Sequence, residues 1–334
     1  MSRFGRIMIG VGVGIAAALL AWVAHGFPME GHSDFDQLWI AARALQTGAD
    51  PYEAVRRVEA YPLFYPLPAV LLASPMAFFP LELAKVIWGG LGAGLLAYAA
   101  FTYKRALPTA LLGAGFLNAI VVAQWAPFLT AAAVLPWASV AWVAKPSIGL
   151  ALLIAYPHRK ALFYGGAILV VSLIAMPSWP GEWLHALRDS IQMPLALRPG
   201  GFVLLLAALR WRTPEGRLLT ALACVPQTVG LYETLPLFLI PRTRWEGYAL
   251  ATLSFVAAAI QETLAGHTIT EFINSKWPSL LLFCYLPALV ILLRRPNRPS
   301  RSGDLAEPLS EHHRVEGAVG KVDRHTPAEP GAGV

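Results

Sequence analysis

The chain has 334 residues, of which 56% are hydrophobic and only 14% charged, with a net charge of +6 and two cysteines. Its mean hydropathy is +0.54. This balance excludes a nucleic-acid binder and a disulfide framework: most of the 26 Lys and Arg punctuate the ends of apolar runs, where topology and anionic headgroups account for them. What remains is an all-α polytopic membrane protein.

Arg3 and Arg6 precede the run Ile7 to Ala24, which is expected to be an uncleaved first span with the amino terminus in the cytosol. Residues 26–63 then form the first outer loop. Within it Phe35, Leu38, Trp39, Ala42 and Leu45 recur at helical spacing, with Asp36, Arg43 and Gln46 off the stripe. That pattern predicts a short helix lying on the outer membrane interface. Ser33 or Asp34 caps its start, with Gln37 three residues beyond Asp34, and Gly48 and Pro51 follow its end. Spacing alone leaves Asp34 as either a cap or a surface carboxylate free to accept a proton, and Asp36 as a solvated charge, an ion-pair partner or a second candidate base.

Further apolar runs cover about 64–80, 84–103, 107–123, 126–144, 146–156, 161–177, 199–209, 216–240, 247–264 and 278–293, giving ten to twelve membrane segments. The pieces 146–156 and 199–209 are too short for a ~30 Å crossing, so they are expected to be half-helices or re-entrant segments. His158-Arg159-Lys160, Arg210-Trp211-Arg212, Arg242-Thr243-Arg244 and Arg294-Arg295 mark cytosolic ends. Lys104-Arg105 breaks strict alternation, which predicts an early run that dips in and returns. Residues 178–198, with Trp179, Trp183, His185 and Arg188, read as a second outer loop carrying an amphipathic helix. The membrane domain thus spans 1–295, and the polar stretch 296–334 reads as a disordered cytosolic tail. Cys224 and Cys284 lie in apolar runs without metal-ligand spacing and read as small core residues.

Three polar positions inside this apolar chain call for an explanation. Lys145 lies amid apolar neighbours, where insertion of a lysine costs roughly 2.5–3.5 kcal/mol. It either snorkels from a helix end broken by Pro146 or meets an anionic ligand. Gln124, beside Trp125 and Pro127, is either an interfacial belt residue or a hydrogen-bonding group for a sugar whose face packs on the indole. Gln227, Tyr232 and Glu233 form either an ordinary loop or the rim of a cavity. Arg43, Arg188 and Arg198 are alternative anion ligands or headgroup contacts.

The phrase Ser33-Asp-Phe-Asp-Gln-Leu-Trp-Ile-Ala-Ala-Arg-Ala-Leu, then Gly48-Ala-Asp-Pro-Tyr52, then Tyr61-Pro-Leu-Phe-Tyr-Pro-Leu-Pro68, resembles glycosyltransferase family 87. Ala123-Gln-Trp-Ala-Pro127, Ala144-Lys-Pro146 and the stretch from Pro226-Gln-Thr to Tyr232-Glu233 resemble later landmarks of that family, with Ala123 where a Gly is usual and Glu233 where an Asp is common. The likeness spans roughly residues 30–240. It implies a GT-C type helical bundle that uses polyprenyl-phosphate sugars, as the family's mannosyltransferases do. It further implies that Asp34 deprotonates the acceptor hydroxyl, and that Asp36, Arg43, Gln124, Lys145, Gln227 and Glu233 line the substrate site, with Lys145 the first choice for the lipid phosphate.

The implied partners are a lipid-linked sugar donor, a lipid or glycan acceptor and membrane lipids. The implied place is the plasma (inner) membrane, with the site on the outer face and both termini cytosolic. No cofactor is expected; the Asp34-Phe-Asp36 triplet leaves room for a divalent metal, but no metal ligand set is predicted. The competing reading is a polyisoprenoid or glycolipid transporter, in which Asp34 and Lys145 are gating charges.

Overall fold

The computed structural model describes residues 1–26, 33–59, 62–103, 106–188, 192–228, 230–263 and 269–295. The Lys104-Arg105 pair and the polar stretch 296–334 lie outside the described residues. The fold is mostly helical. It opens with α1 (Arg3–Gly26), α2 (Asp34–Gln46), α3 (Pro51–Val58), α4 (Leu67–Ala73) and α5 (Leu81–Ala100). Then come α6 (Ala114–Val121), α7 (Ala126–Ala132), α8 (Pro146–Ala155), α9 (Arg159–Ala175) and α10 (Trp179–Arg188). The last third carries α11 (Pro214–Cys224), α12 (Arg244–Thr263), α13 (Ile269–Leu280) and α14 (Leu286–Leu293), the last two joined through a π turn at Leu281–Tyr285. Tight 3-10 stretches at Pro136–Val143, Gly201–Arg210 and Leu231–Leu239 fill much of the remainder. A two-stranded antiparallel pair, β1 (Met193–Pro194) with β2 (Pro226–Gln227), ties the segment after α10 to the segment after α11.

Three helices among the described residues are long and apolar enough to cross a membrane: Arg3–Ala24, Leu81–Ala100 and Ser275–Leu293. Taken together, α9 and α10 would make a fourth, but they meet at 98°. Ten to twelve segments are expected from the sequence, and the difference has a local cause. Proline opens α7, α8, α11 and the 3-10 stretch Pro136–Val143, and it sits inside Leu231–Leu239, so runs that look continuous in composition fold as short pieces. The half-length pieces expected at 146–156 and 199–209 are present as α8 and the stretch Gly201–Arg210. The amphipathic helix expected after 178 is α10, which turns off the end of α9.

Two long helices supply the backbone of the fold. Antiparallel α1 and α5 approach closely because both carry glycine at four-residue spacing on the facing side. A Cβ built at Gly14 would meet the Gly90 carbonyl oxygen at 2.9 Å, and one at Gly94 would meet the Gly10 carbonyl oxygen at 2.9 Å. This is small-residue packing of the kind that replaces the hydrophobic effect where lipid surrounds a helix. The far face of α1 is exposed and apolar, with Phe4, Ile15, Leu19 and Trp22 all open.

The basic clusters expected to mark one membrane side do gather at one end. Arg210 donates to the carbonyls of Leu293 and Arg295; Arg295 donates to the Ile240 carbonyl and pairs with Glu246 at 2.7 Å. Arg217 reaches the Ile154 and Ala155 carbonyls at the end of α8. These guanidinium groups satisfy helix-terminal carbonyls that have no intrahelical partner. The groove between α1 and α12 is lined by both Met1 and Arg244, so α1 begins at this end. Its 24 residues then carry the chain roughly 36 Å toward the other.

Gly14→Leu is expected to destabilise the protein by about 1–3 kcal/mol, because the obstructing atom is backbone and cannot step aside. Gly12→Leu, on the same helix with nothing within 4 Å, is expected to stay within about 0.5 kcal/mol of wild type. Thermal unfolding of both in detergent checks this; equal losses would mean that the two helices do not depend on this face.

Candidate active site

At the far end of α1 the chain enters α2 through a capping box. The Ser33 hydroxyl accepts from the Phe35 amide at 3.2 Å, and the Asp36 carboxylate accepts from the Ser33 amide at 3.3 Å. Ser33 is therefore the cap, and its reciprocal partner is Asp36 rather than Gln37. The Ser33 hydroxyl also donates to the Val122 carbonyl at 2.7 Å, which pins the start of the helix to the end of α6. Asp34, one residue in, is released from capping duty and is exposed.

The helix does not lie with its apolar stripe on lipid, as expected. Phe35, Leu38 and Ala42 are fully buried in the protein core, and Phe35 packs on Trp88, which meets Trp125 edge-on at 4.6 Å and Phe128 at 4.7 Å. Trp125 is thus committed to the core and offers no face to a sugar. Asp36 corrects the sequence expectation too. It is buried and pairs with Lys85 of α5 at 2.6 Å, so it holds the helix rather than a substrate. Arg43 is exposed at the opposite end of α2, 5.0 Å above the Trp39 ring, and joins no cluster with Asp34.

Five of the residues singled out in the sequence do converge. Gln124 Nε2 donates to Asp34 Oδ2 at 2.6 Å, and the Tyr232 hydroxyl reaches the same oxygen at 3.3 Å. Lys145, at the cap of α8, pairs with Glu233 Oε1 at 2.8 Å and stands 4.6 Å over the Tyr232 ring. Lys145 neither snorkels nor stands alone. Gln124 can reach Asp34 because Ala123 takes a left-handed conformation, φ 49°, that ends α6 in a sharp turn. That geometry costs a non-glycine residue about 1–2 kcal/mol, and it explains a position where glycine would be at ease.

Other members of the cluster carried no signal strong enough to single them out. The Tyr65 hydroxyl lies 3.5 Å from Gln124 Oε1, and burial, then the nearby Asp34 and Glu233 charges, hold its phenol well above the ordinary range, so it remains a donor. Tyr65 is itself held by the Asp50-Pro-Tyr52 motif. Asp50 caps α3, Pro51 opens it, and the Tyr52 hydroxyl donates to the Tyr65 carbonyl at 3.2 Å. Trp183 of α10 donates to the neighbouring Phe64 carbonyl at 2.9 Å. Thr228 bridges Tyr232 at 3.1 Å and Glu233 at 2.8 Å. Gln227 is buried one residue before, its amide spent on the Leu222 carbonyl and its oxygen on Tyr285 at 2.6 Å, so it braces the loop instead of facing a ligand.

The result is an exposed carboxylate above a buried polar cluster. Gln124 is 3% exposed, Tyr232 8% and Glu233 1%. Asp34 offers a solvent-reachable carboxylate whose orientation is fixed by two donors, and Lys145 places a cation beyond the Tyr232 ring. Among the described residues no three His, Cys, Asp or Glu side chains gather as a metal would require. No family model, curated protein or solved structure matches this chain.

Lys85→Met leaves Asp36 charged, buried and unpaired, and is expected to cost about 3–5 kcal/mol. Adding Asp36→Asn should restore part of that loss, since the uncompensated charge is gone. A double-mutant cycle read by thermal unfolding in detergent checks it; additive losses would show that the pair is not coupled.

Proposed function

We propose that the protein is an integral-membrane glycosyltransferase of GT-C type. It moves a hexose or pentose from a polyprenyl-phosphate donor to a lipid or glycan acceptor at the outer face of the plasma membrane. Asp34 takes the acceptor hydroxyl proton as the acceptor oxygen bonds to the anomeric carbon. The bond from that carbon to the phosphate oxygen breaks, and the polyprenyl phosphate leaves with the electron pair. Lys145 supplies positive charge for that departure, and Gln124 and Tyr232 hold the base in line.

One observation carries this reading: Ser33 and Asp36 do the capping, so Asp34 is free, exposed and oriented by side chains 90 and 198 residues away in sequence. A carboxylate merely ending a helix needs no such partners. The position also favours an enzyme over a carrier, because Asp34 sits past the far end of α1 rather than midway along its length. The basic clusters at the opposite end agree with cytosolic termini, and the first-loop resemblance supplies the donor class.

Asp34→Asn should lower the transfer of radiolabelled sugar from polyprenyl-phosphate donors by about 10²- to 10⁴-fold in membranes matched for protein level. Wild-type transfer in that variant would reduce Asp34 to a structural residue, and no transfer by wild type from any such donor would end the transferase reading. Gln124→Leu removes one charge-assisted donor and is expected to slow transfer by roughly 10- to 100-fold, in kcat more than in KM for the donor. A purely KM-based loss would place Gln124 on the substrate instead.

A further inference from the structure

At the basic end of the molecule, remote from Asp34, a groove of about 970 Å³ runs between α1 and α12. It is left open because the two helices are anchored to different neighbours. The glycines of α1 hold it against α5, while α12 is held on α6 and the segment before it. A Cβ at Gly247 would collide with the Thr109 hydroxyl, and the Ser254 hydroxyl accepts from the Ala114 amide at 2.9 Å. The space between has Phe116 and Ile120 of α6 as its floor and Ile9, Val13, Ala16 and Leu20 of α1 as one wall. Leu20, Leu112, Leu117 and Tyr248 along its edges are all exposed, so the groove opens sideways.

Depth and charge together define an occupant. From Ile9 to Leu20 the wall rises about 16 Å at 1.5 Å per residue, close to one leaflet of a ~30 Å hydrocarbon core. The mouth is different in kind. Arg244 and Tyr248 line it from the start of α12, one turn apart, and the exposed Trp245 meets Tyr248 edge-on at 5.9 Å. Such an aromatic pair suits the membrane–water boundary. Arg244 is exposed and joins no ion pair among the described residues, since the nearby Glu246 is taken by Arg295 at 2.7 Å. Arg3 and Arg242 stand exposed at the same end, and among the described residues no Asp or Glu lines the groove.

We infer that this groove seats one phospholipid of net negative charge from the adjoining leaflet, with an acyl chain along α1 and its phosphate on Arg244. A cationic mouth free of acids, an aromatic rim and an apolar trough one leaflet deep complement such a molecule at every level. A zwitterionic lipid carries its own cation beside the phosphate and gains less from Arg244. The site lies at the opposite end from Asp34 and does not rest on the transferase reading. A lipid held there fills the space between α1 and α12, so its binding stabilises the folded protein.

The test uses the full-length protein stripped of lipid in a nonionic detergent, with phosphatidylglycerol and phosphatidylcholine of matched chains as probes and native mass spectrometry to count bound molecules. Wild type is expected to hold one phosphatidylglycerol about fivefold more tightly than phosphatidylcholine, the factor that one arginine near a headgroup supplies. Arg244→Gln should erase that preference and leave the phosphatidylcholine affinity unchanged. Arg212→Gln, which removes an exposed arginine from the same end but outside the groove, should keep it. Ala16→Phe fills the trough from an exposed position and should abolish the discrete bound lipid; Leu117→Trp blocks it from the other side and serves if Ala16→Phe fails to fold. Equal affinity of wild type for the two lipids, equal losses in Arg212→Gln and Arg244→Gln, or a bound lipid that survives the groove-filling variants overturns the proposal. So does displacement of phosphatidylglycerol by a lower concentration of a polyprenyl phosphate, which would assign the groove to that lipid instead. Sugar transfer by wild type and Asp34→Asn is read separately, so either reading can fall without the other.

Discussion

A charged side chain buried among apolar neighbours persists only with a counter-charge or a complete set of hydrogen bonds. Two buried pairs meet that requirement at the same end of this molecule. Asp36 with Lys85 joins α2 to α5, and Glu233 with Lys145 joins the stretch Leu231–Leu239 to the start of α8. Such pairs contribute little net stability, because desolvation offsets the attraction, yet losing one partner is costly, so each fixes a register between segments far apart in sequence. The first pair fixes where α2 begins and so where Asp34 stands. The second fixes the Tyr232 loop against the cation. Asp34 has no counter-charge among the described residues, and its exposure to water leaves it a reachable carboxylate.

The irregular backbone at this end follows from the same economy of polar groups. The turn at 122–125 and the short strand Pro226–Gln227 interrupt apolar runs, and interior chain breaks are tolerated where protein groups satisfy the freed amides and carbonyls. Val122 gives its carbonyl to Ser33, Leu129 to Trp142, and Leu222 to Gln227. At the opposite end the arginines do this work for helix termini. Arg210, Arg217 and Arg295 thus complete the hydrogen bonding of α14, α8 and the Leu231–Leu239 stretch. One end is closed by cations on carbonyls, and the other is left with an accessible carboxylate.

Much of the site was legible because polar residues are rare in so apolar a chain. Asp34, Gln124, Lys145 and Glu233 stand out against their neighbours, and they meet in space. The extent of α2 was legible too, from its cap signature and from Gly48, whose φ of +74° ends the helix. The direction of its stripe was not, since lipid and protein core are equally apolar and periodicity cannot distinguish them. Asp36 and Arg43 looked alike as off-stripe charges, and only the position of Lys85, itself hidden at the start of an apolar run, separates the buried partner from the exposed one. Tyr65 and Thr228 were missed as site residues because a tyrosine and a threonine near apolar runs read as packing. The segment count was misread because proline and the left-handed Ala123 break runs that composition presents as continuous.

Tyr232 shows why the cluster acts as a unit and not as separate charges. Its hydroxyl touches Asp34 and Thr228, and its ring carries the Lys145 ammonium on the π face, so one rigid side chain feels the base and the cation together. A change in hydrogen bonding at the hydroxyl alters which neighbour Thr228 serves, and through Thr228 it alters Glu233, the only carboxylate paired to Lys145 among the described residues. Charge at the accessible end of the cluster is thereby linked to charge at its buried end, with no movement of the backbone. The helices on either side are locked by close packing, so a change at one end of the cluster is taken up by its hydrogen-bonded side chains rather than by the backbone.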